Sequence, residues 1–217
     1  EHIEIPSHRI DLGKLKPIEP QGIGPIERIT LNVSPGRKRE IAQRCKELQL
    51  NLSTLLLGCF QYYLDAIESH LGVPIQTGMA LRNRSGKIAK QDFLTRVNFL
   101  PVSHVPISNI RELEPIVKHC FRNQEYPLLA WLTEERKRAA FNALFSYQKE
   151  AYEKNSDELQ ARFTFLPTSV DENIISMHIL EFGEESLRVS FDVRTDLADL
   201  SFWRCFVNAY VHGVRAI

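Results

Sequence analysis

Ile26-Glu-Arg-Ile-Thr-Leu-Asn-Val-Ser-Pro35 is where this chain changes its hydrophobic period. Over residues 26–33, Ile29, Leu31 and Val33 fall on one side, the period-two mark of a strand. Ser34 follows as an N-cap and Pro35 as the first helical residue, where a missing N–H leaves nothing unsatisfied. Ile41, Cys45 and Leu48 then recur on one helical face. A strand delivered straight into an amphipathic helix is the building unit of an α/β chain.

The rest of the sequence repeats that alternation without internal repeats. Upstream, residues 1–25 hold Pro6, Pro17, Pro20 and Pro25 and read as an extended lead-in or linker. Downstream, Ser53 is expected to cap a second helix through Leu71, closed by Gly72. Its run Leu55-Leu56-Leu57, Cys59-Phe60 and Tyr63-Leu64 marks it as the central buried helix. Residues 74–81 and 93–105 read as strands flanking a basic loop, the second placed at an edge or bend by Pro101. A helical pattern runs from Ser108 or Asn109 to Arg122, with Pro115 imposing a kink or a true start near Glu114. Pro127 opens another helix. Residues 139–148, 161–167, 174–182 and 187–195 read as strands, the last two joined by Gly183-Glu184-Glu185. Residues 150–158 are polar and read as a mobile loop, and 201–216 as a closing amphipathic helix. The expected fold class is α/β: a single lobe of mixed β-sheet covered by helices over residues 26–217.

At 217 residues, 43% apolar and 25% charged, the chain is an ordinary globular one that can bury a core. Lys+Arg equals Asp+Glu, and Arg37-Lys38-Arg39 and Arg136-Lys137-Arg138 read as solvated helix faces, so nucleic-acid binding is not expected. Cys45, Cys59, Cys120 and Cys205 have no metal-ligand spacing and read as buried, reduced thiols; no metal is expected. Without a run of 18 apolar residues or a leader after Glu1, a cytoplasmic protein is expected, its abrupt start fitting a piece of a longer one.

Read residue by residue, the sequence holds no self-contained active site. No Gly-x-Ser-x-Gly elbow occurs, and Gly22-x-Gly24 is followed by proline with no strand before it. Glu134-Glu135 and Glu184-Glu185 are adjacent, and adjacent side chains on a helix or strand diverge. His178, between Met177 and Ile179, either faces a cleft or is a satisfied core or surface histidine.

Four stretches in fixed order go further: Gly78-Met-Ala-Leu-Arg-Asn-Arg84, Val97-Asn-Phe-Leu-Pro101, Asn123-Gln-Glu-Tyr-Pro127 and Phe141-Asn-Ala-Leu-Phe-Ser-Tyr-Gln148. With Thr195-Asp196-Leu197 before the last helix, they resemble the second, C-terminal half of the condensation domains of nonribosomal peptide synthetases. The resemblance implies a chloramphenicol-acetyltransferase-like lobe that pairs with a similar N-terminal lobe. It implies amide formation between acyl or peptidyl and aminoacyl thioesters, in pathways such as antibiotic or siderophore biosynthesis. Carrier proteins would be the partners, bringing phosphopantetheine with them, and no cofactor would be bound by the lobe itself. The family's His-His-x-x-x-Asp-Gly signature belongs to the first lobe. None of the seven histidines here has a His neighbour or an Asp four residues on, so no catalytic residue is assigned and the fragment alone is expected to be inactive.

The resemblance also nominates site residues. Asn98 matches an asparagine on a strand facing the inter-lobe tunnel, where a carboxamide both donates and accepts; the other reading is that it satisfies a neighbouring backbone group. Arg84 matches the basic residue ending the family's Gly-x-Pro-x-x-x-Arg-like segment, which anchors the inter-lobe surface or an acidic group or is a solvated loop arginine, and Tyr147 or Gln148 lie on a strand that the resemblance brings toward the tunnel. On the Asn98 strand, Arg96, Asn98 and Leu100 share one side, while Val97 and Phe99 are expected to face the core. The sequence departs from the family where Leu94-Thr95-Arg96 replaces Val-Gly-x-Phe and Phe99 replaces threonine. Two other readings stay open: a stand-alone O-acyltransferase of the polyketide-associated type, and a non-catalytic module that recruits another protein. A lobe without its partner is further expected to expose an apolar patch.

Overall fold

The computed structural model describes residues 22–71, 74–82, 97–125, 141–149, 153–155, 160–162, 166, 168–182 and 186–216. Its elements are β1 (Gly24–Val33), α1 (Pro35–Leu48), α2 (Leu52–Leu71), β2 (Thr77–Arg82) and β3 (Val97–Val102), then a 3-10 helix (Ile107–Glu112) and α3 (Leu113–Arg122). They continue with β4 (Ala143–Lys149), β5 (Glu153–Asn155), β6 (Gln160–Arg162), β7 (Val170–Asp171), β8 (Ile175–Phe182), β9 (Ser186–Arg194) and α4 (Leu200–Ala216). Seven strands form one sheet in the order β3-β2-β4-β8-β9-β1-β7, and β5 and β6 pair with each other. The β2–β4 and β4–β8 pairs are parallel and the rest antiparallel, so the sheet is mixed.

The start of the lobe follows the sequence closely. Ser34 caps α1 by accepting from the Arg37 amide at 3.4 Å, with Pro35 opening the helix and Ile41, Cys45 and Leu48 buried. The helix stops at Gln49, a left-handed residue (φ 59°) whose N–H returns to Cys45 and Lys46, so the chain can reverse into α2. The second cap differs from expectation. α2 starts at Leu52, with the Leu55 amide bonded to the Asn51 carbonyl at 3.0 Å, so the chain enters the helix at Asn51, two residues ahead of Ser53.

All of α2 from Thr54 to Gln61 is buried. Phe60 at its centre lies 6.5 Å from the Phe145 ring of β4 and 6.4 Å from the Phe191 ring of β9. α4 closes the layer, its Tyr210 hydroxyl donating to the Leu56 carbonyl at 3.1 Å and its Trp203 indole N–H to the Arg194 carbonyl at 2.8 Å. Residues from all four helices and from alternate positions of the strands belong to one core. The four α-helices therefore cover one face of the sheet, which we call the helix-covered face; the other is free of helix among the described residues.

Several expectations shift. Pro115 sits in the first turn of α3, which makes the true start Leu113 and leaves the preceding segment as a 3-10 helix. Within residues 150–158, expected as a loop, Glu153–Asn155 pairs as a strand with Gln160–Arg162. Lys38 is not on a solvated face: it shares the helical side of Ile41 and Cys45, is 6% exposed and reaches Glu181 at 2.8 Å. Cys45, Cys59 and Cys120 are buried free thiols, but Cys205 is exposed, because α4 turns Phe202, Phe206 and Val207 inward. Gly24 and Pro25, read as the end of the lead-in, already belong to β1 and pair with Asp171 and Val170; residues 1–21, the helix after Pro127, the second basic triplet and Gly183-Glu184-Glu185 lie outside the described residues.

Candidate functional site

Register across the sheet sorts each strand into two sides. On β9, Leu187, Val189, Phe191 and Val193 face the helices, and Arg188, Ser190, Asp192 and Arg194 face away. The same alternation puts Arg28 and Thr30 of β1, Ser176 and His178 of β8, and Ser146 of β4 on the helix-free side. Two polar rows result. One runs Ser146–His178–Ser190–Thr30 across four strands, the other Ser176–Asp192–Arg28 across three.

These rows are bonded together. Arg28 holds Asp192 with both arms of its guanidinium, Nε to Oδ1 and Nη2 to Oδ2, each at 2.6 Å. His178 Nε2 stands 3.3 Å from Asp192 Oδ2. The Thr30 and Ser190 hydroxyls are 3.0 Å apart, and the Ser176 hydroxyl donates to Asp171 at 2.9 Å. Asp192 is only 5% exposed. Burial pushes its pKa up, but the hydrogen bonds and charges of Arg28 and His178 outweigh that and hold it below the ordinary aspartate value. An ionised carboxylate is therefore fixed within the sheet, on the face opposite the described helices. Among the described residues the centre of this face is polar.

The residues nominated from sequence do not converge. Asn98 is on the helix-covered side with Leu81, its register partner, and with Leu100 and Val102, which are buried; Val97 is 49% exposed and Phe99 packs on the Phe141 ring at 6.0 Å. The expected parity of this strand is thus reversed, Val97 and Phe99 being the pair turned away from the core. Asn98 Nδ2 donates to the Gln124 carbonyl just past α3 at 2.8 Å, and its Oδ1 accepts from the Phe99 amide at 2.9 Å. Tyr147 is on the same helix-covered side, its hydroxyl donating to Glu181, which also takes Lys38. Burial, then the bond to Glu181 and its charge, push the Tyr147 phenol far up. For Glu181 itself, burial is outweighed by Lys38 and Tyr147, and its pKa falls. Gln148 is exposed on the helix-free side, opposite Leu180. Arg84 lies outside the described residues.

Nothing in the sequence singles out Arg28, Asp192 or the serine row. Their only signal in sequence is that β9 carries a polar residue at every second position between apolar ones, which reads equally as a solvated face. Among the described residues no group of His, Cys, Asp or Glu is arranged to hold a metal, and no helix is long and apolar enough to cross a membrane.

No protein-family model matches the chain, and no curated protein sequence does. Solved structures do. The chain is similar to the condensation domain of the Monacolin K polyketide synthase MokA, with 14% identity and a TM-score of 0.71 over 96% of this chain and 48% of that one. It is similar to a condensation domain that mediates chain release from the enacyloxin polyketide synthase, with 14% identity and a TM-score of 0.66 over 90% and 42%. VibH, a nonribosomal peptide synthetase condensation enzyme, matches with 12% identity and a TM-score of 0.59 over 86% and 47%. The chain spans about half the length of each of these structures. It has the fold of one lobe of a condensation domain.

Proposed function

We propose that the chain is the C-terminal lobe of an amide-forming condensation domain, which works only with an N-terminal lobe that supplies the catalytic histidine. The observation that carries the reading is the coverage: nearly all of this chain matches, and under half of each condensation domain does. The order of the four sequence stretches supports the second half over the first. The polar helix-free face supports a substrate-side or lobe-facing wall, since a buried bidentate ion pair with serines and a histidine is a poor partner for an apolar layer and a good one for amides and thioesters. Acyl and aminoacyl groups would arrive on phosphopantetheine arms of carrier proteins, and the lobe itself would bind no cofactor.

The test is reconstitution. The gene region encoding this chain and the lobe before it is expressed as one protein and supplied with loaded donor and acceptor carriers, and the product is read by mass spectrometry. An amide product from the pair of lobes, and none from this chain alone, supports the reading. An ester product instead establishes the O-acyltransferase, and binding of carriers or another protein without turnover establishes the recruitment module.

A further inference from the structure

We infer that the cleft between α1 and α4 binds a medium-chain aliphatic carboxylate, its chain lying on the sheet and its head group at Arg37. The inference stands apart from the function proposed above. On the helix-covered side these two helices part over the β1–β9 edge and leave a cavity of about 670 Å³, within the roughly 300–1,000 Å³ typical of small-molecule sites. Leu31 and Val33 of β1 and Leu187 and Val189 of β9 line its floor, and Val211 and Val214 of α4 line one wall. Leu31, Val33 and Val211 are only half-buried, although they pack against the core. An aliphatic chain laid there completes the burial that the helix layer leaves unfinished, and it displaces water that these walls cannot bond.

Charge selects the head group. Ser34, Gly36 and Arg37, at the start of α1, line the same cavity. A helix N-terminus carries partial positive charge that a first-turn Asp or Glu ordinarily offsets; α1 has no acidic residue in its first turn and has Arg37 there instead. Glu40 engages Nη1 of that guanidinium, which leaves its other N–H donors to a ligand carboxylate. The remaining polar groups of the cavity are occupied. The Tyr210 hydroxyl donates to the Leu56 carbonyl, the Ser34 hydroxyl accepts from the Arg37 amide, and the Asn32 carboxamide oxygen accepts from Arg188 at 3.4 Å. Recognition therefore falls to a cation. The cleft continues along α1 past Ile41, where its lining adds Arg39 and Arg44 against Glu47, so the balance stays positive. Gly36 keeps the entrance clear: a β-carbon built there meets nothing within 4 Å.

The experiment titrates this chain, with 13C-labelled leucine and valine methyl groups, with decanoate. Decyltrimethylammonium, of the same chain length and opposite charge, is the control, and both are kept below their micelle concentrations. Decanoate should shift the methyl signals of Val189, Val211 and Val214 saturably, and decyltrimethylammonium should bind at least about tenfold more weakly. Arg37→Gln should lower the decanoate affinity by about tenfold, the loss of roughly one charge-assisted bond. Gly36→Phe fills the entrance and replaces a poor helix former, so it should keep the Tm and abolish the shifts. The inference is overturned by unmoved methyls at these three valines or by equal affinity for the two amphiphiles, and these results need no variant to fold. A folded Gly36→Phe chain that still binds, or an Arg37→Gln chain of unchanged affinity, overturns it as well. Amide formation does not enter this readout, so its presence or absence bears on the proposed function alone.

Discussion

Replacing Asn98 by alanine separates a tunnel residue from a structural one. Truncation removes a 2.8 Å bond to the Gln124 carbonyl and a 2.9 Å bond from the Phe99 amide. Such bonds contribute about 1 kcal/mol each, net of water. Gln124 and Phe99 are only half-buried, so water can reach the two groups left behind and the full penalty of an orphaned buried group is not incurred. The expected loss is therefore about 2 kcal/mol, or roughly 4–8 °C in Tm for a domain of this size. β3 is an edge strand whose other protection is Pro101, so the variant should also self-associate more readily. Asn98→Asp keeps the acceptor for Phe99 but points a charge at a carbonyl, and should be no better than alanine. Urea and thermal unfolding followed by circular dichroism, with sedimentation for association, measure all three. An Asn98→Ala chain with unchanged midpoint and slope refutes this structural role for Asn98.

Glu114 is buried against the start of α2, taking the Asn51 amide at 3.2 Å and the Asn51 carboxamide, with Lys118 at 3.3 Å. Burial raises its pKa, but Thr54, Asn51 and Lys118 outweigh that and lower it. A depressed carboxyl stabilises fully above its unfolded value of about 4.3 and loses that stabilisation as pH falls through the folded value. Glu114→Gln should thus cost about 1–2 kcal/mol near neutral pH, with the gap closing as acid titrations of stability pass below the ordinary glutamate range. Arg28→Met or Asp192→Leu alone should cost about 3–5 kcal/mol by leaving a buried charge uncompensated, while the double variant recovers most of it; additive losses in the cycle would show that the pair is not coupled. A maleimide should label Cys205 in the native chain and spare Cys59 and Cys45, the latter raised to about 11 chiefly by burial; native labelling of Cys59 would contradict its place in the core.

How much of this was legible depends on whether the deciding interaction is local. The Ser34-Pro35 cap, the buried face of α1, the central burial of α2 and the edge position of Pro101 follow from period and from backbone rules that act within a few residues. Lys38 shows the first limit: its helical phase with Ile41 and Cys45 was visible, but two flanking arginines made the solvated reading the natural one until Glu181 appeared opposite it. The start of α2 shows another, since Asn51 and Ser53 are both good caps and a carboxylate 63 residues away, Glu114, binds the first.

The parity of β3 is the instructive failure, because it moved a candidate site residue across the sheet. In Val97-Asn-Phe-Leu-Pro-Val102 each side of the strand offers two aliphatic or aromatic residues, so alternation alone is undecided. The neighbouring strand decides it. Phe99 and Pro101 lie opposite Ala80 and Gly78, where small partners leave room on the helix-free side, while Leu100 lies opposite Met79 and joins it in the core. Register between strands, and not the composition of either, selects the inward face. The same holds for Arg28 and Asp192, whose 164-residue separation gives no local signal at all. Both residues were read within ordinary strands, and only the β9–β1 pairing turns two alternations into one buried charge network. Such a network is therefore written in strand order. That is why the sequence stretches that carry the family resemblance mark the fold, and why the polar strip through Asp192 lies largely outside them.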